Sequence, residues 1–244
     1  MAEDVLLIVG ASSEVGSQYL KAYGHRYKMI YAHHNHGIEI LNELGALFGE
    51  KLIIVQDNLN DVRTGGENIL AKIRATNIWP NCILHCPAPK IENTRFLKAD
   101  WSIFEKNLNI MVGSCVKIFP ELFKQILKEK KKGYCTLILS SCTEGIPPKF
   151  ETQYVTAKYA LLGLMKSLSC EYSDRGIMVN GVSPGMMETK FLDSIFDHVI
   201  EENAQKSPFG RNLKVEEILP MIDFLLSDRA DRITGQNIVV SGGM

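Results

Sequence analysis

Seven short apolar runs alternate with segments of helical periodicity along the chain. Each run is continuously apolar, which is typical of strands that are buried on both faces of a sheet. The runs are Val5–Val9, Met29–Ala32, Leu52–Val55, Ile83–His85, Thr136–Leu139, Met178–Val182 and Ile238–Val240. The helical segments are Glu14–Tyr23, Ile38–Phe48, Gly66–Ala75, Trp101–Lys131, Thr152–Ser173 and Val215–Leu226.

This alternation predicts an α/β fold with a single parallel sheet of about seven strands and helices on both faces. Right-handed crossovers make a doubly wound, Rossmann-type sheet the leading architecture. No linker or repeat interrupts the pattern, so we expect one domain over residues 1–244. Residues 186–209 break the rhythm after the sixth strand, and we interpret them as a lid over the ligand-binding edge of the sheet.

Composition and charge exclude some classes of function. The formal net charge of −1 provides no basic field for nucleic acid. The first apolar run, Val5–Val9, is too short for a membrane helix or a signal peptide, so we expect a cytoplasmic protein without a membrane partner. The six cysteines lie mostly in apolar segments, which predicts buried free thiols and no disulfides.

A turn of small residues, Gly10–Gly16, follows the first strand and opens the first helix. In this position the backbone N–H groups and the helix N-terminus can face a pyrophosphate. A tight structural turn is the alternative. Asp57, just beyond the third strand, could accept a hydrogen bond from an adenine amino group or could equally cap a loop.

Tyr154 and Lys158 are four residues apart in a predicted helix, so both side chains lie on one face. A nearby ammonium would lower the pKa of the phenol by stabilising the phenolate, which suits Tyr154 to general acid/base work. Ser141 lies thirteen residues upstream, at the end of a strand that faces the same crevice. Its hydroxyl could hydrogen-bond a developing oxyanion. Taken alone, a Tyr and Lys at this spacing is a common structural coincidence.

Taken together, these motifs resemble the short-chain dehydrogenase/reductase family with a Ser-Tyr-Lys site, and the likeness extends over the whole chain. It is most similar in appearance to the 3-oxoacyl-[acyl-carrier-protein] reductases of that family. Further matching motifs are Asn107-Leu108, Ser183–Thr189, Phe209–Arg211, Glu217, Phe224–Ser227, Thr234–Gln236 and Gly242-Gly243.

The resemblance implies a role for each matching residue. Tyr154 would be the acid/base, Lys158 would lower its pKa and hold the nicotinamide ribose, and Ser141 would position the substrate carbonyl. Asn107 would hold a water that links Lys158 to solvent. The predicted cofactor-binding residues are Gly10, Ser12, Ser13, Val15, Gly16, His33, Asp57, Asn58, Tyr154, Lys158, Pro184, Gly185 and Thr189. The resemblance also implies a homo-oligomer, a dimer or a tetramer, that pairs the two longest helices.

The sequence departs from the family pattern at several points. Glu14 replaces a glycine of the turn, Val9 replaces a threonine, and the prolines in His85–Pro89 remove N–H donors from the next loop. A metal site at Cys82, His85 and Cys86 is disfavoured by the ligand spacing.

The segment 32–36 carries histidines and no carboxylate after the second strand. A carboxylate there would bind the ribose diol of NAD, so the segment favours NADP(H) over NAD(H). The leading hypothesis is NADPH-dependent reduction of a 3-oxoacyl group carried on acyl carrier protein or coenzyme A. The alternatives are a dehydrogenase of a sugar, polyol or other secondary alcohol, and a binding protein that retains the fold without catalysis.

Overall fold

The computed structural model describes residues 3–195 and 197–244. Met1, Ala2 and Phe196 belong to the predicted single domain but lie outside the described residues. The strands form one all-parallel sheet in the order β3-β2-β1-β4-β5-β6-β7. Their bounds are β1 Val5–Val9, β2 Met29–His34, β3 Leu52–Gln56, β4 Cys82–His85, β5 Gly133–Ile138, β6 Ile177–Pro184 and β7 Asn237–Val240. The predicted fold class is confirmed.

The α-helices cover both faces of this sheet. Their bounds are α1 Glu14–Tyr23, α2 Ile38–Phe48, α3 Glu67–Thr76, α4 Trp101–Leu108, α5 Ser114–Lys128, α6 Thr152–Tyr172, α7 Asp197–Lys206 and α8 Leu219–Leu225. Successive β1 residues alternate between two buried clusters, with Leu7 in the cluster under α3, α5 and α6, and Ile8 in the one under α1, α2 and α8. The continuous apolar run in β1 therefore reflects burial on both faces.

The predicted long helix over 101–131 is wrong as a single helix, because a π-helical turn, Asn109–Gly113, separates α4 from α5. The Ser114 amide skips one carbonyl and donates to Asn109 O. The Ser114 hydroxyl then donates to the skipped carbonyl of Ile110 at 2.6 Å, so no acceptor is lost. Such turns are frequent at functional sites.

The predicted helix over 215–226 is also interrupted. It starts as a 3₁₀ turn, Val215–Glu217, and the α-helix begins only at Leu219. Pro220 has no N–H and is tolerated only in the first turn of a helix, which explains why α8 starts beside it.

The thiols agree with expectation, with one exception. All six cysteines are free, and five of them are buried. Cys170 on α6 is exposed. No helix in the described part of the chain is long and apolar enough to cross a membrane.

Candidate active site

The carboxyl ends of β1, β4, β5 and β6 bring the predicted site residues to one edge of the sheet. Loops that are distant in sequence pack closely there. The glycine turn after β1 contacts the loop after β4 so closely that a Cβ on Gly10 would lie 3.1 Å from the nitrogen of Pro87. The positive φ of Gly10, +82°, also favours glycine at this position.

Tyr154 and Lys158 project from the first turns of α6 into the interior. Their exposed fractions are 8% and 2%. The Lys158 Nζ donates to the carbonyl of Ile138, at the end of β5, with a distance of 2.7 Å. It lies 5.5 Å from the centroid of the Tyr154 ring. The i, i+4 pair on one helix face is therefore confirmed as geometry, and β5 holds the ammonium in place.

The expectation that Lys158 lowers the pKa of Tyr154 is wrong for the structure as it stands. Burial raises the pKa of the phenol well above its usual value, and the charges of Cys142 and Glu151 add to the rise. Burial also lowers the pKa of Lys158 to about 8. Both shifts have one cause, because removal from water disfavours the charged form of each group. Tyr154 is therefore held as a neutral phenol, the form that donates a proton.

The side-chain contact with the Tyr154 phenol comes from Ser140, one residue before the predicted serine. The Ser140 hydroxyl hydrogen-bonds to Tyr154 and also accepts from the amide of Cys142 at 3.3 Å. Ser141 is half-buried and begins the 3₁₀ turn Ser141–Thr143. Sequence reasoning missed Ser140. The Ser140-Ser141 pair at the strand end was the only signal, and counting residues cannot decide which hydroxyl turns toward the helix.

Asn107 is buried in the last turn of α4, directly before the π turn. Its Nδ2 donates to the carbonyl of Ile103 at 2.8 Å. Both α4 and the π turn pack against α6, so this residue lies on the helix that faces Tyr154 and Lys158. The predicted water-holding role of Asn107 is not tested by these contacts.

The glycine turn forms the N-terminal cap of α1. The Ser13 hydroxyl accepts from the Gly16 amide at 3.1 Å and donates to the Gly10 carbonyl at 2.7 Å. A Cβ on Gly16 would lie 2.7 Å from the carbonyl oxygen of Gly10, so the helix can approach the turn only with glycine there. Among the described contacts, the amides of Glu14 and Val15 have no acceptor, and they point along the helix axis. Val15 itself is buried and Ser12 half-buried.

The Glu14 carboxylate, which departs from the family pattern, is bound to the segment after β6. Its Oε1 accepts from the amide of Lys190 at 3.1 Å. The substituted position therefore bridges the glycine turn and the segment after β6.

His33 is a buried, neutral side chain and not an exposed cation, and its predicted contact with the cofactor is not tested by these contacts. The ring is buried, its Nδ1 accepts from the Gly10 amide at 3.0 Å, and its Nε2–H donates to the Asp57 carbonyl at 3.2 Å. Burial lowers the pKa of His33 to about 4, which keeps the ring neutral. With both nitrogens used internally, His33 braces the ends of β1 and β3.

Asp57 is a helix cap, which is the alternative the sequence left open. Its Oδ2 accepts from the amides of Gly66, Asn68 and Ile69 at 3.1, 2.9 and 3.3 Å. These are the unpaired donors of the first turn of α3. Asn58 is exposed, and its Oδ1 accepts from the Asn60 amide at 3.1 Å. Their predicted contacts with the adenine are not tested.

Asp57→Ala is expected to lower the free energy of unfolding by about 2 kcal/mol, because three amides, two of them buried, lose one charged acceptor. Urea unfolding followed by circular dichroism measures the loss. Asp61→Ala is the matched control, since Asp61 caps its own exposed turn through the amides of Arg63 and Thr64. An equal loss in both variants would contradict the role of Asp57 as a buried cap.

His85, the last residue of β4, is fully buried. The Ser114 hydroxyl donates to the Ile110 carbonyl, so the His85 Nε2–H donates to that hydroxyl, at 2.8 Å. His85 thus ties β4 to the π turn. Over residues 3–195 and 197–244, no three His, Cys, Asp or Glu side chains are grouped as metal ligands.

The segment after β6 packs beside Tyr154. Pro184 ends β6, and the Gly185 amide donates to the Val240 carbonyl at 2.9 Å. Thr189 is half-buried and precedes the 3₁₀ turn Lys190–Ser194, after which comes α7. The Phe191 ring lies 5.8 Å from the Tyr154 ring, so the predicted lid segment covers the phenol.

Comparisons with known proteins identify the family to which this chain belongs. The model of a family described as "Enoyl-(Acyl carrier protein) reductase" matches residues 18–244. The 3-oxoacyl-[acyl-carrier-protein] reductase FabG of Rickettsia prowazekii is 30% identical over 241 residues, which is 98% of this chain and 95% of that protein. FabG of Rickettsia conorii is 29% identical over 239 residues, again 98% and 95% of the two chains.

Solved structures agree on the fold. The 3-oxoacyl-[acyl-carrier protein] reductase of Brucella melitensis superposes with a TM-score of 0.87 at 19% identity, covering 100% of this chain and 91% of that one. A 4-hydroxyisoleucine dehydrogenase with NADH and succinate gives 0.87 at 23% identity, covering 98% and 97%. Acetoin dehydrogenase YohF of Salmonella typhimurium gives 0.85 at 21% identity, covering 100% and 97%.

The fold and these relatives thus define an oxidoreductase with a Rossmann-type sheet. The chain belongs to the short-chain dehydrogenase/reductase family.

Proposed function

We propose that this enzyme reduces a 3-oxoacyl thioester, carried on acyl carrier protein or coenzyme A, to the 3-hydroxyacyl thioester with a nicotinamide dinucleotide. The observation that carries the proposal is the neutral, buried Tyr154 phenol beside Lys158, at the carboxyl edge of the sheet. The substrate class is supported by the 30% identity with FabG over almost the whole of both chains. The proposal is tested directly by following the decrease in NADPH absorbance when the enzyme is mixed with acetoacetyl-coenzyme A.

The glycine turn fits a dinucleotide pyrophosphate. The amides of Glu14 and Val15 and the positive end of the α1 dipole favour an anion there. A Cβ at Gly10 or Gly16 would press against the neighbouring backbone, so both glycines are needed to keep the turn in this shape. When bound, the cofactor supplies the hydride. The protein contributes the Tyr154 proton, which passes to the substrate carbonyl oxygen as charge develops on that oxygen.

NADP(H) is the cofactor that we propose. The preference rests on the absence of a carboxylate after β2 and receives no support from a charged histidine pocket. Residues 32–36 contain no carboxylate to bind a ribose diol. The exposed Asn35 and His36 are the polar groups at this loop, whereas His33 contributes no charge. The ratio of kcat/KM for NADPH and NADH measures the preference, and a ratio below one would contradict it.

The remaining site assignments are part of the proposal. Lys158 holds the ribose and supports the phenol, Asn107 holds a water next to α6, and Pro184, Gly185 and Thr189 line the nicotinamide end. We also propose that residues 1–244 form one domain with a substrate lid over 186–209. The bond between Glu14 and Lys190 supports a lid that contacts the cofactor turn.

A homo-oligomer is supported by apolar side chains on the outer surfaces of the central helices. Trp101 on α4, Val116 on α5 and Tyr159 on α6 have exposed fractions of 68%, 57% and 44%. These helices are the ones that the family resemblance pairs between subunits. Light scattering after gel filtration measures the mass, and a monomer at micromolar concentration would contradict the proposal.

Ser141→Ala is expected to lower kcat/KM about 10²-fold, because one hydrogen-bond donor to the developing oxyanion is lost. Ser140→Ala, the matched neighbour, is expected to act mainly through Tyr154, with a smaller loss in rate and a shift of the pH profile. Steady-state kinetics of both variants from pH 6 to 9 separate these effects. A larger loss in Ser140→Ala would move the carbonyl-positioning role to Ser140.

A further inference from the structure

Glu151 is a buried carboxyl group beside the proposed site that no step above uses. It directly precedes α6, three residues before Tyr154, and its exposed fraction is only 8%. Its backbone carbonyl accepts from the Val155 amide at 2.9 Å, so it occupies the N-cap position of α6. Its side chain makes no capping hydrogen bond. The carboxyl is therefore turned away from the helix end and into the protein.

The carboxyl has no hydrogen-bond or ion-pair partner among the described residues. The groups that face it are the Tyr154 phenol on α6 and the Cys142 thiol after β5, and the Glu151 charge raises the pKa of both. Arg95, a cation of the neighbouring loop, lies over the Phe150 ring, 5.8 Å from its centroid. A buried carboxylate without a partner is costly, so such a group favours its neutral form or needs a ligand.

The two residues that flank Glu151 in the chain line an open groove. Phe150 has a φ of +71°, a strained value for an aromatic residue, and its carbonyl accepts from the Thr94 amide at 2.9 Å. Phe150 and Thr152 both line a groove of about 530 Å³, together with Arg95, Phe96 and the Pro147–Lys149 segment. Glu151 lies between these two lining residues in the chain and three residues before Tyr154.

We propose that the protonated Glu151 carboxyl donates a hydrogen bond to the thioester carbonyl oxygen of the substrate, while Tyr154 serves the 3-oxo group. This inference rests on the proposed function. A 3-oxoacyl thioester has two carbonyl oxygens separated by one methylene, and Glu151 and Tyr154 are one helical turn apart. A protonated carboxyl next to the phenol would favour binding of this dicarbonyl over a simple ketone. The ionised carboxylate has no proton to donate to the thioester oxygen, so it would bind the substrate more weakly.

The pH dependence follows from burial alone. Burial raises the pKa of Glu151 to about 7. The donor form is present below that pH and falls about tenfold for each further pH unit above it. Lys158, with a pKa of about 8, also loses its proton in this range. Its loss is expected in kcat, whereas the loss of the Glu151 donor is expected in KM.

The test measures kcat and KM for the acetoacetyl thioester of N-acetylcysteamine, with NADPH, from pH 6 to 9. In the wild-type enzyme KM should rise about 25-fold between pH 6.5 and 8.5. Glu151→Gln keeps an N–H donor that does not titrate, so its KM should stay within about threefold of the low-pH wild-type value throughout. Glu151→Ala should raise KM about tenfold at pH 6.5. Glu144→Gln is the matched control, because Glu144 is exposed in the same loop and should keep the wild-type profile.

Calorimetry gives a readout that does not depend on turnover. Binding of the same thioester to the enzyme with NADP⁺ at pH 8 should take up close to one proton in the wild type and none in Glu151→Gln. The inference is overturned by a flat wild-type KM, by a rise in KM that persists in Glu151→Gln, or by equal proton uptake in the two proteins. Wild-type reduction with any of these results leaves the proposed function intact. A wild-type enzyme that neither binds nor reduces the thioester would overturn both.

Discussion

Tyr154→Phe is expected to reduce kcat for carbonyl reduction by about 10³-fold, because the variant lacks the phenolic hydroxyl whose proton passes to the substrate oxygen. The phenyl ring keeps its contact with Phe191, and the lost hydroxyl leaves only the Ser140 hydroxyl without its partner. The cofactor affinity should stay within about threefold of wild type, since the glycine turn is unchanged. Stopped-flow NADPH oxidation and titration of NADPH fluorescence measure the two quantities.

The control for this variant is Tyr159→Phe on the same helix. Tyr159 is exposed on α6, and loss of its hydroxyl should leave kcat unchanged. Equal rates in wild type and Tyr154→Phe would exclude the phenol as proton donor. Loss of NADPH binding in Tyr154→Phe would show instead that the hydroxyl holds the cofactor, and the rate loss could then not be assigned to proton transfer.

Lys158→Met is expected to lower kcat about 10²-fold and at the same time to stabilise the fold. The ammonium is removed from water, and its pKa is lowered to about 8 from an ordinary value near 10.5. Because the folded pKa lies below the unfolded pKa, folding disfavours the charged form. The cost is fully present below about pH 8 and disappears as the pH rises through 10.5. At pH 7 it amounts to about 3 kcal/mol.

Urea unfolding at pH 7 and pH 9.5 measures this effect. Wild type should gain stability between the two pH values relative to Lys158→Met, and at pH 7 the variant should be the more stable protein. Lys166→Met, at an exposed position of the same helix, is the control and should change neither stability nor rate appreciably. A variant that is destabilised by several kcal/mol would contradict the view that the buried charge is retained for function at a cost in stability.

Much of the fold could be predicted because burial leaves a direct trace in the sequence. Strands covered on both faces must be apolar throughout, so β1 and the start of β2 were located to the residue. Helices α1 and α2 were likewise bounded correctly by their apolar faces. The break between α4 and α5 left no such trace. It depends on the Ser114 hydroxyl reaching a carbonyl on the preceding turn, and both a straight and a bulged helix would bury the same apolar face.

The candidate site also combines features that the sequence predicts with features that only the packed protein determines. The spacing of Tyr154 and Lys158 predicts a shared helix face, because helical geometry alone places residues four apart together. The protonation of these groups depends on how much water surrounds them, and that is a property of the packed protein. The sign predicted for the pKa shift of Tyr154 was therefore wrong, and the buried Glu151 was not recognised.

The orientations of the His33 and Ser140 side chains could likewise not be predicted from the sequence. Both lie at strand ends, where a rotation of one residue turns a side chain from the crevice into the interior. His33 turned inward, because its two ring nitrogens could pair with the Gly10 amide and the Asp57 carbonyl. The sequence by itself determined the doubly wound sheet, the glycine turn and the Tyr154–Lys158 pair, since these follow from periodicity and local spacing. Only the tertiary structure decided which hydroxyl meets the phenol, which histidine stays neutral and which carboxyl is buried, because long-range packing sets solvation.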